Sequence, residues 1–184
     1  IKYGYDDDLE PHYALPTEKV LGFSGGNGLI WKYPWEGKET DLKTGLIKSA
    51  YPTQNKDKRI SCFLSHWYLW QKCKQLDEMI MIFEHDARII RKLPSDRTFR
   101  NSDFDIIGIN DPSMATRKSK LYHDMILERI DFFQPVPRID EFNVPQGLAG
   151  NSAYVIKPAG AVKMLQLAQE HGMWPNDALM CYQL

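Results

Sequence analysis

Met79-Ile80-Met81-Ile82-Phe83-Glu84-His85-Asp86 decides how this chain is read: five apolar residues run without interruption and then give way to polar ones. An unbroken apolar run of that length predicts a strand buried on both faces, since a half-exposed strand alternates apolar with polar. Charge arrives where the strand stops. Glu84 and Asp86 are thereby placed at a strand C-terminal end, where open α/β sheets collect their ligands.

Outward from that strand the texture is consistent. Upstream, Ile60, Phe63, Leu64, Trp67 and Trp70 fall at steps of three and four, which predicts an amphipathic helix over residues 59–75 lying against the sheet. Downstream, Phe104-Asp105-Ile106-Ile107-Gly108-Ile109 reads as a second buried strand closed by the turn Asn110-Asp111-Pro112. Residues 151–156 read as a third strand. After it Lys157-Pro158-Ala159 opens a helix with Ala161, Val162, Leu165 and Ala168 as its buried stripe, and Gly172 ends it. Helices alternating with apolar strands predict an α/β domain with a largely parallel sheet. Residues 1–59, rich in Gly, Pro, Tyr and Trp, predict loops around a small sheet with short strands at 19–23 and 29–32. Residues 97–102 and 114–129 predict polar loops.

The 184 residues, 43% hydrophobic and 26% charged, suit one domain spanning 1–184 and exclude a disordered chain. Lys plus Arg number 23 and Asp plus Glu 24, so the net charge of -1 supplies no whole-molecule attraction to nucleic acid or anionic membrane. Cys62, Cys73 and Cys181 show no paired spacing, which predicts reduced thiols in a cytoplasmic protein. No apolar run approaches the ~20 residues that span a bilayer, and the acidic opening residues are unlike a secretory signal. The chain begins with Ile and stops at Leu184 inside a helical pattern, which predicts a piece of a longer protein.

Several side chains are candidates for chemistry. Glu84 and Asp86 present hard oxygens suited to magnesium or manganese. A solvated loop is the competing reading, and Asp6-Asp7-Asp8 shows that acidic triplets arise without a site. Ser65 and His66 lie inside the predicted helix, where His66 reaches either a ligand phosphate, the acidic strand end or a core partner. Cys62, His66 and Cys73 share one side of that helix, but residues of one helix cannot surround a zinc ion and no fourth ligand suggests itself. Ser24-Gly25-Gly26-Asn27-Gly28 lacks the spacing of a phosphate loop and reads as a turn. Asp177, after Trp174-Pro175-Asn176, is either a first-turn acid of a new helix or a general base.

Three segments, taken together, resemble glycosyltransferase family 25: Arg59-Ile60-Ser61-Cys62-Phe63-Leu64-Ser65-His66, Ile80-Met81-Ile82-Phe83 running into Glu84-His85-Asp86-Ala87, and Gly150-Asn151-Ser152-Ala153-Tyr154-Val155-Ile156. Gly160-Ala161-Val162-Lys163-Met164-Leu165 and Asn176-Asp177 resemble the helix and acidic turn that follow in that family, so the likeness runs over roughly residues 58–180. Lys58 and Ile60 stand where the family's helix opens with glycine, His85 replaces the middle acid of its metal motif, and its opening strand is not visible.

The resemblance implies a GT-A fold, a Rossmann-like α/β/α sandwich with a mostly parallel central sheet, binding a UDP-sugar donor with manganese or magnesium. It implies an inverting enzyme that passes a hexose to a hydroxyl of a saccharide or protein. Glu84, His85, Asp86 and Ser65 would contact the donor, Glu84 and Asp86 through the metal; His66 would sit near nucleotide or acceptor, and Asp177 would be the base. Two alternatives accompany it. The basic stretch Arg117-Lys118-Ser119-Lys120, with Arg97 and Arg100, would suit a modified base of viral DNA, and His85 would suit an inactive relative that only binds a nucleotide sugar. Nucleotidyl transfer lacks the Gly-rich basic loop it needs after the first strand.

Overall fold

The computed structural model describes residues 28–113, 118–144, 148 and 150–184. In chain order the elements are β1 (Lys38–Thr40), β2 (Ile47–Ser49), α1 (Lys56–Leu76), β3 (Ile80–Phe83), α2 (Asp96–Arg100), β4 (Ile106–Gly108), α3 (Ser119–Leu127), β5 (Asn143–Val144), β6 (Ala153–Ile156), α4 (Pro158–His171) and α5 (Asn176–Leu179). The strand expected at 19–23 and the Ser24 to Asn27 part of the glycine-rich turn lie outside the described residues.

Helix α1 starts where the Asn55 side chain accepts a hydrogen bond from Lys58 N at 3.0 Å, with Asp57 in the positive first turn. It stops at Asp77, whose φ of 53° is left-handed. Its apolar stripe buries Phe63, Leu64, Trp67, Trp70 and Cys73 against α4 and the sheet.

The main sheet has the order β3-β6-β4, and β6 is antiparallel to both neighbours. This corrects the expectation of a mostly parallel sheet among the described strands. Apolar runs report burial on two faces and carry no information about direction. Here β3 and β4 point the same way but do not pair, and the slot between them is filled by a strand arriving from the opposite end. The layering survives the correction. Ile82, Tyr154 and Ile156 face α1 and α4, while Ile107 and Val155 turn to the other side against Phe99 of α2, with Met79, Met81, Phe104 and Phe133 around them. The sheet thus has apolar cover on both faces, as its unbroken runs require.

Helix α4 approaches β4 so closely that a Cβ at Gly160 would stand 2.7 Å from Asp105 O and 2.9 Å from Ile106 Cγ1. Only glycine permits that contact. Gly172 then ends the helix with φ of 78°.

The second sheet joins β1 and β2 as a hairpin and adds β5 parallel to β2. Asp41 Oδ2 ties the hairpin turn by accepting from Thr44 N at 3.1 Å and Thr44 Oγ1 at 2.6 Å. Lys48, only 2% exposed, donates to Lys32 O at 2.7 Å and pairs with Glu39 at 2.9 Å, its ammonium 5.1 Å from the Trp174 ring centroid. Those partners answer the desolvation of a buried cation. The strand expected at 29–32 reduces to one bridge between Trp31 and Met173. Residues 97–102 and 114–129, expected as loops, contain most of α2 and all of α3.

Candidate functional site

Cys62 and His66 are one turn apart on α1, so both project from the same face. His66 is 4% exposed, and its Nδ1 lies 2.8 Å from the Tyr154 hydroxyl on the central strand β6. That hydroxyl also accepts from Trp70 Nε1 at 2.9 Å. Nε2 faces the Glu84 carboxylate and so carries the imidazole proton, which leaves Nδ1 to accept from the Tyr154 phenol. Burial holds the Tyr154 phenol far above its usual range, so it stays protonated. The two rings stack at 5.6 Å between centroids.

His66 Nε2 stands 3.5 Å from Glu84 Oε1. Glu84 is fixed at the end of β3, its N–H donating to Ser152 O at 2.8 Å and its carbonyl accepting from Ala87 N at 3.0 Å. The second bond closes a tight turn over residues 84–87 with His85 and Asp86 exposed at its corner. Glu84 and Asp86 offer only oxygen donors, the ligand type that magnesium and manganese prefer.

Among the described residues, Cys62, His66 and Glu84 have their ligand atoms within 4.8 Å of one another. Cys62 is open to solvent as a residue, yet protein around its sulfur and then the Glu84 charge push its thiol up to about 11. The Asn176 side chain, hydrogen-bonded to it, and Arg59 act in the opposite direction, while the Asp177 carboxylate raises it further. One thiol therefore feels Glu84 from β3 and Asp177 from α5.

The sequence-selected residues thus divide. His66 and Glu84 meet beside Cys62, and the Asp177 charge acts on that same thiol; His85 and Asp86 sit on the adjoining turn. Ser65 is half-buried, with its hydroxyl donating to Ser61 O at 2.8 Å within the helix. Cys73 is at the far end of α1, its thiol 3.1 Å from Glu78 O, so the single-helix zinc set of Cys62, His66 and Cys73 does not assemble. Lys118 pairs with Asp140 at 3.6 Å and Lys120 with Asp124 at 2.7 Å, which leaves those two lysines partly neutralised. Arg117 lies outside the described residues.

Tyr154 and Asn176 belong to the site although sequence reasoning gave them no role. Asn151 is buried beside Ser152, with its Oδ1 lacking a hydrogen-bond donor among the described residues. The Gly150-to-Tyr154 segment marks Tyr154 by resemblance but not its contact, because its hydroxyl meets His66 only through the register that sets it opposite Ile82.

The hydroxyl of Tyr154 can be tested by itself. Tyr154→Phe keeps the ring and leaves two buried nitrogens without their partner, so it is expected to destabilise the fold by ~1–3 kcal/mol. Urea unfolding measures this; a change below ~0.5 kcal/mol would mean the hydroxyl links nothing.

A layered α/β domain that gathers carboxylates, an imidazole and a thiol at the strand ends of its sheet has the architecture of an α/β enzyme. The family model for glycosyltransferase family 25 (LPS biosynthesis protein) matches residues 39–180, and the chain belongs to that family. The match begins upstream of the motifs that carried the resemblance and takes in the β1–β2 hairpin as well. Family membership implies glycosyl transfer, with a sugar donor and an acceptor as partners. No match was found among curated proteins or among solved structures. No helix among the described residues is long and apolar enough to cross a membrane.

Proposed function

We propose that the chain is an inverting hexosyltransferase that moves galactose or glucose from uridine diphosphate to a hydroxyl of a saccharide or protein. The observation that carries this reading is the meeting of Glu84 and His66 beside the Cys62 sulfur, with the charge of Asp177, from a third element, also acting on that thiol. Glu84 and Asp86 would hold a divalent cation, magnesium or manganese, with His85 between them. When bound, that cation offsets the negative charge gathering on the departing diphosphate.

The chain's own residues do the rest. The Asp177 carboxylate takes the proton of the acceptor hydroxyl while the hydroxyl oxygen bonds to the anomeric carbon. The bond from that carbon to the diphosphate oxygen breaks, and its electron pair leaves with the nucleoside diphosphate. Inversion requires the base and the diphosphate on opposite faces of the sugar, and a base outside the 84–87 turn meets that need. His66, held at Nδ1 by Tyr154, is a positioning residue for Glu84.

Asp86→Asn removes one of the two charges on the turn while leaving the core untouched. It is expected to lower transfer on the order of 10²-fold, about 3 kcal/mol, with melting temperature preserved. Release of uridine diphosphate from a panel of UDP-hexoses with manganese measures it. Full activity with unchanged manganese dependence would remove Asp86 from the donor site.

A further inference from the structure

We propose that Cys62, His66 and Glu84 form a binding site for one zinc ion, with different chemistry from the all-oxygen pair Glu84 and Asp86. A single helix cannot enclose an ion, and here the end of β3 supplies what α1 lacks. The ligand atoms already lie within 4.8 Å of one another. The 3.5 Å between His66 Nε2 and Glu84 Oε1 is about the ligand-to-ligand distance of a tetrahedral zinc site with bonds of ~2.0–2.3 Å. Modest side-chain adjustments therefore close the set.

Donor chemistry selects the metal. One thiolate, one imidazole and one carboxylate suit zinc, whereas magnesium and manganese favour oxygen alone. Three protein ligands leave the fourth position to water. The second nitrogen of a zinc-bound imidazole is ordinarily held by a partner, and Tyr154 holds Nδ1 here. Proton balance is straightforward: the Cys62 thiol gives its proton to solvent, and the imidazole proton moves from Nε2 to Nδ1. The Tyr154 oxygen has two lone pairs, one for Trp70 Nε1–H and one for that Nδ1–H, and the hydroxyl rotates its own proton away from the imidazole as zinc binds.

The proposal shares Glu84 with the donor site, so zinc capture would also slow transfer, and only that effect rests on the hexosyltransferase reading. Cobalt(II) titrated into the metal-free chain is the probe. One equivalent is expected to give a thiolate-to-cobalt charge-transfer band with tetrahedral visible bands, all displaced by zinc. Cys62→Ser is expected to abolish the charge-transfer band, Cys73→Ser and Cys181→Ser to leave it, and Glu84→Gln to weaken cobalt binding ~10-fold or more. Absence of the band at one equivalent, or its survival in Cys62→Ser, overturns the proposal. Because the readout is optical, a chain that binds cobalt this way yet turns over no UDP-hexose keeps the zinc site and loses the donor reading.

Discussion

Asp177→Asn is expected to lower sugar transfer by ~10²–10⁴-fold while donor affinity stays close to that of the unaltered protein. Asparagine keeps the shape of the side chain and most of its hydrogen bonding but cannot accept the acceptor's proton. In the proposed donor site the turn after β3 would hold the donor, so its affinity is expected to be independent of that proton. The carboxylate's position is what argues for the role: it is half-buried in the first turn of α5 and acts on the same Cys62 sulfur as Glu84. If Asp177 were only a charge at a helix start, its loss would cost ~0.3–1 kcal/mol of stability and spare the rate. Measuring donor affinity and transfer rate on one preparation separates the accounts. A rate near that of the parent protein removes Asp177 from the mechanism.

The largest expected effect on stability is that of Trp70→Ala, at ~3–5 kcal/mol. Trp70 is fully buried, meets Phe63 edge-on at 5.8 Å between ring centroids and donates its indole N–H to Tyr154. Removing it opens a cavity between α1 and the central strand and takes a donor from a buried hydroxyl. Against a typical domain stability of ~5–15 kcal/mol, that loss leaves little margin. The midpoint of urea unfolding is expected to fall with an unchanged slope. A loss below ~1.5 kcal/mol would contradict the packing described for this interface.

Much of the architecture was legible from periodicity. The helix read over residues 59–75 is α1, Lys56–Leu76, and it gains its first turn because the cap is Asn55, a polar residue that apolar spacing does not register. The strands read from apolar runs are β3, β4 and β6, and the helix read from Lys157 to Gly172 is α4. Strand direction was not legible, because a side chain buried on a sheet face looks the same in either sense. Helix α3 was hidden because its apolar residues do not all turn inward: Leu121 and Leu127 stay 47% and 68% exposed while Tyr122 is buried, so it lacks the clean stripe that marks a core helix.

The site divides along the same line. Glu84 could be selected because charge follows a buried run, and His66 was left between a core partner and a functional one. It has both, with Tyr154 on one nitrogen and Glu84 facing the other. Cys62 was set aside with the zinc set of one helix, since its partner Glu84 sits on another element. Local sequence carries the identity of each ligand atom, and register carries their meeting.

The central position of β6 also orders events in time. Strands β3 and β4 leave the ribosome first, yet among the described residues neither has a partner in this sheet until residues 153–156 have been made. The Tyr154 hydroxyl that joins Trp70 to His66 is on that same late strand. Hydrophobic collapse of α1 can precede it, but sheet and site must be completed together. Pairings this far apart along the chain carry a loop-closure cost before they are rewarded, so the folding step that builds this sheet is intrinsically slow.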